Sequence, residues 1–166
     1  KETNYNLMVV LTYNYVEYTD FYKLSIPYIS LNKKYRKKQF SIFCKFYSLC
    51  KKFKPDIIHT WGSTQTFYSI PFSFFNRVPI VNGQITSVKP QLKKVSFNNL
   101  INRINFFFSY KIISNSKAGL QALNSPSKKS EIVHNGVNLD RFKNLESSKM
   151  IREKYGINTK YVVIMV

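Results

Sequence analysis

The chain has 166 residues, in which 26 Lys and Arg stand against eight Asp and Glu for a formal net charge of +18. A hydrophobic share of 44% and an aromatic share of 16%, with 14 Phe and 12 Tyr, exclude a disordered chain. The length fits one α/β domain with residues to spare, and the positive potential attracts phosphates: nucleic acid, anionic lipid headgroups and sugar nucleotides all qualify, although AT-rich coding alone also enriches Lys, Asn, Ile, Tyr and Phe together.

Apolar runs and amphipathic stretches alternate from end to end, the rhythm of a parallel α/β sheet. Leu7 to Leu11 reads as a buried strand, and Leu24 to Leu31, with Pro27 inside it, as an edge strand. From Lys33 to Phe53, Phe40, Phe43, Tyr47, Cys50 and Phe53 recur at helical steps, and the helix must end before Pro55. Asp56 to Trp61 is the clearest strand; Thr64 to Phe75 is helix-like, and Pro79 to Asn82 is a further strand. Gln91 to Tyr110 predicts a helix with Val95, Leu100, Ile101, Ile104 and Phe108 near one face, and Lys111 to Ser114 predicts a strand. Ser116 caps a helix through about Leu123, and Lys129 to His134 is a strand broken by Asn135-Gly136. Val137 to Ser148 reads as a crossing segment, Lys149 to Tyr155 as a short helix and Tyr161 to Val166 as a buried strand whose next turn is missing. Lys1 to Asn6 are polar and no run of about 18 apolar residues occurs, so neither a signal peptide nor a membrane span is expected. Cys44 and Cys50, six apart, match no zinc or redox spacing and are expected as reduced thiols in a cytoplasmic protein.

In an open parallel sheet, ligands bind at the carboxyl ends of strands. Those positions hold His59, Trp61, Gly62 and Ser63; Asn82, Gly83 and Gln84; Asn115 and Ser116; and His134, Asn135 and Gly136. Hydroxyl-binding side chains and backbone amides can thus face one crevice. His59 can hydrogen-bond or deprotonate a sugar hydroxyl, because an unperturbed imidazole titrates near neutrality. Trp61 offers an apolar face to a sugar ring. His134, beside a turn, reads as structural. The acids are too scattered for a paired-carboxylate site, no metal site is expected, and no GxxxxGK[ST] or GxGxxG loop occurs.

Taken in order, four segments resemble the amino-terminal domain of family 4 glycosyltransferases, which have the two-Rossmann-domain GT-B architecture. They are Lys54 to Ser63 (KPDIIHTWGS), Pro79 to Thr86 (PIVNGQIT), Ile113 to Leu123 (ISNSKAGLQAL) and Glu131 to Phe142 (EIVHNGVNLDRF), the last similar to the crossing between the two domains. The resemblance implies a Rossmann-like parallel sheet flanked by helices. Residues 1–136 would form the acceptor-side domain, without its first strand and glycine-rich loop. Residues 137–166 would hold the crossing and the first helix and strand of a donor-binding domain.

It further implies transfer of a sugar from a nucleotide-diphosphate donor to an acceptor hydroxyl, with retention of configuration and no cofactor or essential metal. His59 would be the catalytic candidate. Trp61, Gly62, Ser63, Asn82, Gly83, Gln84, Asn115 and Ser116 would bind acceptor, and Asn135 and Gly136 would lie near the donor. Implied partners are a nucleotide sugar, a sugar or lipid-linked acceptor and an anionic membrane surface reached through Lys33 to Lys38 and Lys89 to Lys94; no nucleic acid is expected. The corresponding location is the cytoplasm, peripheral on the inner face of the plasma membrane, in cell-surface polysaccharide or glycolipid synthesis.

The chain departs from the family pattern in having Trp61 where many relatives carry a second histidine, and Asn138 where the crossing commonly has Asp. With donor-side residues expected beyond Val166, the chain alone is expected to lack turnover. The rival readings are a basic nucleic-acid-binding module, which has the charge but no RNP, KH or zinc-finger pattern, and a non-catalytic scaffold.

Overall fold

The computed structural model describes residues 5–34, 40–84, 97–143 and 145–163. The chain divides into two compact units, Lys1–His134 and Asn135–Val166.

The first unit holds six short strands. β1 (Val9–Leu11) and β2 (Tyr28–Ser30) form a parallel pair, with a 3-10 turn at Thr19–Leu24 between them. The chain continues through α1 (Ser41–Phe53), β3 (Ile58–Trp61), α2 (Ser63–Asn76), β4 (Ile80–Gln84), α3 (Phe97–Phe108), β5 (Lys111–Ser114), α4 (Lys117–Ala122) and β6 (Ser130–Ile132). β3 to β6 form a parallel sheet in the order β3-β4-β5-β6, each strand beside its successor. Parallel neighbours need a crossover between them, and α2, α3 and α4 supply it. This is the helix-flanked, Rossmann-like α/β fold expected from the sequence.

Strand alternation decides what is buried. Ile58 lies opposite Ile80, and Thr60 opposite Asn82, which lies opposite Ile112. All five are buried. Cys50, Ile58, Ile70, Phe72 and Ile80 form the core, with Phe46, Tyr47, Phe67, Val78, Ile104 and Phe108 packed against it. Each fully buried aliphatic side chain contributes roughly 1.5–3 kcal/mol relative to exposure.

The helices bury most of the stripes read from the sequence, Tyr47 and Cys50 in α1 and Ile104 and Phe108 in α3, and depart from them at Phe40 and Leu100. In α1, Phe40 points to solvent while Ile42 and Cys50 are buried. The packed face of α1 holds Tyr47 and Cys50 from that stripe and widens to take in Ile42 and Phe46. In α3, Leu100 is exposed whereas Asn102, Asn105 and Phe106 are buried. α1 begins at Ser41 among the described residues; residues 35–39 and 91–96, parts of the expected helices, lie outside them. α1 and α2 both end in left-handed residues that are not glycine: Lys54 N–H donates to Cys50 O and Arg77 N–H to Ser73 O.

In the second unit, Asn138 accepts from Asp140 N–H at 2.9 Å to open a 3-10 turn at Leu139–Phe142. Asn caps as well as Asp, so this departure from the family pattern preserves the cap. α5 (Ser148–Lys154) starts on Ser147, whose hydroxyl accepts from Met150 N–H. Tyr161–Val163, the described part of the last expected strand, is not a strand, and Val163 is 96% exposed. Apolar residues become a strand only when a neighbour completes the ladder, and none pairs with them among the described residues.

The thiols separate cleanly. Cys44 is exposed, whereas burial pushes the Cys50 thiol up to about 11. At pH 8 its thiolate fraction is on the order of a thousandth. Ellman's reagent is expected to titrate one thiol per folded chain rapidly and the second only on unfolding; two equal fast phases would contradict the packing of α1.

Candidate functional site

β3 presents two faces at its carboxyl end. Ile58 and Thr60 point into the helical layer, while His59 and Trp61 share the opposite face, their rings 5.4 Å apart and tilted by 41°. Across the sheet on this outer face run the rows His59-Val81-Lys111 and Trp61-Gly83-Ile113-Glu131. Glycine at position 83 is a steric requirement. A Cβ there would lie 3.3 Å from His59 Nε2 and 2.9 Å from Thr60 O, so the imidazole rests over the bare backbone of β4. Trp61 is 62% exposed and offers its ring to solvent.

His59 as a whole is exposed, but partial burial of its ring pushes the imidazole below its ordinary value and favours the neutral form, which can accept a hydroxyl proton. At the far end of the same face, Lys111 pairs with Glu131; their hydrogen bond, then their charge attraction, raises the lysine.

The turn after Trp61 is pinned from the helical side. Gly62 has φ 101°, a conformation that favours glycine, and precedes an α2 amino terminus on which no side chain caps. Ser63 Oγ donates to Asn102 Oδ1 at 2.6 Å, and Asn105 Nδ2 donates to Ser63 O at 2.8 Å and Ser63 Oγ at 3.0 Å. α3 thereby holds the first residue of α2, and with it the open amino-terminal amides and their partial positive charge.

Asn82 is fully buried on the helical face. Its Oδ1 lies 3.1 Å from Thr66 Oγ1, and its Nδ2 donates to Ser109 Oγ at 3.2 Å. Its side chain ties sheet to helices and points away from His59 and Trp61. Gln84 closes β4 opposite Ser114.

Past β5, the Ser116 hydroxyl accepts from Gly119 N–H and caps α4, as its position in the sequence suggested. Asn115 O accepts from His134 Nδ1 at 3.1 Å, which fixes the proton on that nitrogen and joins the ends of β5 and β6. The structure therefore brings His59, Trp61, Gly62, Ser63 and Gly83 together, and places Asn115 and Ser116 along the same sheet edge, two strands and about 10 Å from β3, with His134 one strand further. Asn135 and Gly136 belong to the second unit, where a Cβ on Gly136 would meet nothing within 4 Å.

Sequence reasoning missed Asn102, Asn105, Thr60, Thr66 and Ser109. The signal was available: Asn98, Asn102, Asn105 and Ser109 recur at steps of four, three and four, a polar stripe with helical period. Among the described residues, no cluster of three His, Cys, Asp or Glu could hold a metal.

Parallel strands flanked by helices, with glycine, hydroxyl and imidazole groups at the strands' carboxyl ends, define a Rossmann-like α/β domain. The family model described as Glycosyltransferase Family 4 matches residues 9–141, and the chain belongs to that family. No curated protein matches the sequence. The Anabaena protein HepE, solved with UDP and glucose, is similar in fold at TM-score 0.67 and 17% identity over 90% of this chain and 42% of that one. A glycosyltransferase from Rickettsia africae gives 0.62 and 19% over 92% and 42%. A UDP-N-acetylglucosamine 2-epimerase from Rickettsia bellii gives 0.56 and 19% over 91% and 44%. The chain spans less than half the length of these solved structures.

Two outcomes follow from the geometry. Trp61 is the one tryptophan of the sequence, so its emission should be quenched as His59 protonates, with a midpoint below the free imidazole value. His59→Gln should abolish that transition, and a midpoint above 6.5 would contradict the burial. Because the folded pKa lies below the unfolded one, the unfolded chain takes up the proton first, and stability should fall as pH is lowered through about 6.5. Gly83→Ala should cost about 1–3 kcal/mol in urea unfolding, whereas Gly136→Ala should stay within about 0.5 kcal/mol.

Proposed function

We propose that this chain is the acceptor-side part of a sugar-nucleotide glycosyltransferase that moves a sugar from a nucleotide diphosphate to an acceptor hydroxyl. The observation that carries the reading is the family match over residues 9–141, with His59, Trp61 and Gly83 meeting where a parallel sheet takes ligands. That HepE was solved with UDP and glucose supports a nucleotide sugar as partner.

In this reading the acceptor sugar lies across the exposed Trp61 ring. The neutral His59 accepts a hydrogen bond from the attacking hydroxyl, and Gly83 keeps the floor beneath the imidazole free of side chain. Gly62, Ser63, Gln84, Asn115 and Ser116 line the rest of the acceptor edge. Asn82 acts from beneath by fixing β4 to α2 and α3. Asn135 and Gly136 open the segment leading to donor-binding residues. Transfer proceeds with retention, uses the nucleotide sugar as substrate and calls on no cofactor.

The acceptor is a sugar or lipid-linked sugar in cell-surface polysaccharide or glycolipid synthesis, met at the cytoplasmic face of an anionic membrane. Of the basic stretches expected to reach that surface, Lys33 and Lys34 are exposed or partly so; residues 35–38 and 89–94 lie outside the described ones. No helix among the described residues is long and apolar enough to cross a membrane.

The fold is shared with a UDP-N-acetylglucosamine 2-epimerase, which supports epimerisation of a nucleotide sugar as a second reading. One assay separates the two. A protein carrying this chain joined to a donor-binding domain should release nucleoside diphosphate from a nucleotide sugar only when acceptor is added, with a new glycosidic bond of retained configuration by NMR. His59→Ala should lower kcat by roughly 10²–10⁴-fold if the imidazole is the base. Acceptor-independent conversion of UDP-N-acetylglucosamine to its 2-epimer would overturn the transferase reading. The 166-residue chain alone should give no acceptor-dependent turnover.

A further inference from the structure

We propose that the end of the first unit built from the carboxyl-terminal turns of α1, α2 and α3 docks on an anionic lipid bilayer, with Phe74, Phe75 and Phe107 entering the headgroup-acyl boundary. This deepens the membrane reading above and rests on it, while naming a different surface from the basic stretches expected in the sequence.

The surface is continuous and aromatic. Phe74 and Phe75 close α2, and Phe107 and Phe108 close α3. Ring centroids are 5.3 Å apart for Phe74 and Phe75, 5.8 Å for Phe74 and Phe108, and 5.1 Å for Phe107 and Phe108. Phe108 packs against the core and roots the cluster, whereas Phe74, Phe75 and Phe107 are 62%, 72% and 76% exposed. Contiguous exposed rings of this kind mark an interaction site rather than ordinary surface.

The cluster is framed by cations. Lys51, Lys52 and Lys54 end α1, and the Lys51 ammonium donates to Asn76 Oδ1 at 2.8 Å, which brings that end beside Phe75. Lys51, Lys54 and Asn76 rim a depression of about 290 Å³ whose remaining lining, Cys50, Pro55, Phe72 and Val78, is apolar. Arg77 caps α2, while Lys129 gives its three N–H groups to the Phe106, Phe107 and Ser109 carbonyls at 3.2, 2.8 and 2.9 Å and so secures the end of α3, leaving Lys51, Lys52, Lys54 and Arg77 as the cations of the frame. Along residues 51–56 and 74–77 the only carboxylate is Asp56.

Apolar rings ringed by Lys and Arg fit a bilayer interface, where the rings leave water and the cations meet lipid phosphates. Nucleic acid fits less well: every ring pair in the cluster is edge-to-face, which leaves no parallel slot for a base. A second copy would bring the same cations against themselves. The helices run back from the carboxyl ends of the strands, so the face lies about 15 Å or more along α2 from Ser63; docking leaves the crevice open and turned from the bilayer, which suits an acceptor whose sugar chain extends well beyond the headgroups.

The test is co-sedimentation of the chain with vesicles of phosphatidylcholine alone or mixed with phosphatidylglycerol. The chain should bind the mixed vesicles, release them in high salt and bind the neutral ones poorly. Phe75→Ser combined with Phe107→Ser should weaken binding at least roughly tenfold, with the melting temperature little changed because both rings are exposed. Phe75→Trp, which keeps the ring, should bind and show emission quenched by brominated lipid, while Trp61 in the unaltered chain is not quenched.

If the serine variant binds undiminished while Lys33→Glu with Lys34→Glu releases the vesicles, the membrane reading stands and this face is not its surface. If the unaltered chain binds no vesicle, both fall, and sugar transfer is judged separately by the assay above. A dimer, or a complex with single-stranded DNA, that the serine variant loses would assign the face to that partner instead.

Discussion

A chain of buried hydroxyl and amide groups joins β3, β4, α2 and α3, and the candidate site stands on it. Thr66 Oγ1 lies 2.8 Å from Thr60 Oγ1, 2.9 Å from Gly62 O and 3.1 Å from Asn82 Oδ1. One hydroxyl proton cannot serve every acceptor, so Thr60 donates to Thr66 and Thr66 passes its proton on. From Asn82 the chain continues through Ser109 Oγ to Asn105 O at 2.6 Å, and from the Asn105 amide to Ser63. Each such bond contributes only about 1 kcal/mol net, but breaking one strands a desolvated partner at about 1–3 kcal/mol. The network thus specifies one arrangement of helices on sheet more strongly than it stabilises it. Its one unpaired acceptor among the described residues, Asn105 Oδ1, sits where α3 grips the start of α2.

What the network fixes on one face, strand alternation delivers to the other. Thr60 and Asn82 are held inward, so His59, Trp61 and Gly83 must face outward. Gly83 then decides how close the imidazole comes, and closeness to the sheet is what desolvates the ring and favours its neutral form. The chemistry proposed for His59 therefore depends on residues that never touch a ligand: a threonine and an asparagine behind the strand, and a glycine beside it.

The strands were legible because a parallel strand needs a short apolar run with turn residues after it, and Ile58–Trp61, Ile80–Gln84 and Lys111–Ser114 each have both. Ser116 was legible as a cap because hydroxyl capping is local. Helix faces were harder. Phe40 and Leu100 are apolar yet exposed, and Asn102 and Asn105 are polar yet buried, since a partner two elements away can satisfy an amide that hydropathy assigns to water. For the same reason Asn82 could be read as a crevice residue: its position at a strand end is local information, whereas the Thr66 and Ser109 that claim its amide are set by tertiary packing.

The two ends of the first unit divide the work of the charge. At the carboxyl ends of β3 and β4 stand an imidazole with a lowered pKa, a single indole and the uncapped amides of α2. At the opposite end, the helix carboxyl termini gather Lys51, Lys52, Lys54, Arg77 and Lys129, where cations also meet the negative ends of helix dipoles. Composition alone spreads the +18 evenly over the surface. Folding sorts part of it to the end where exposed phenylalanines stand between the helix termini, while Lys117, beside Ser116, keeps a cation at the carboxyl ends of the strands.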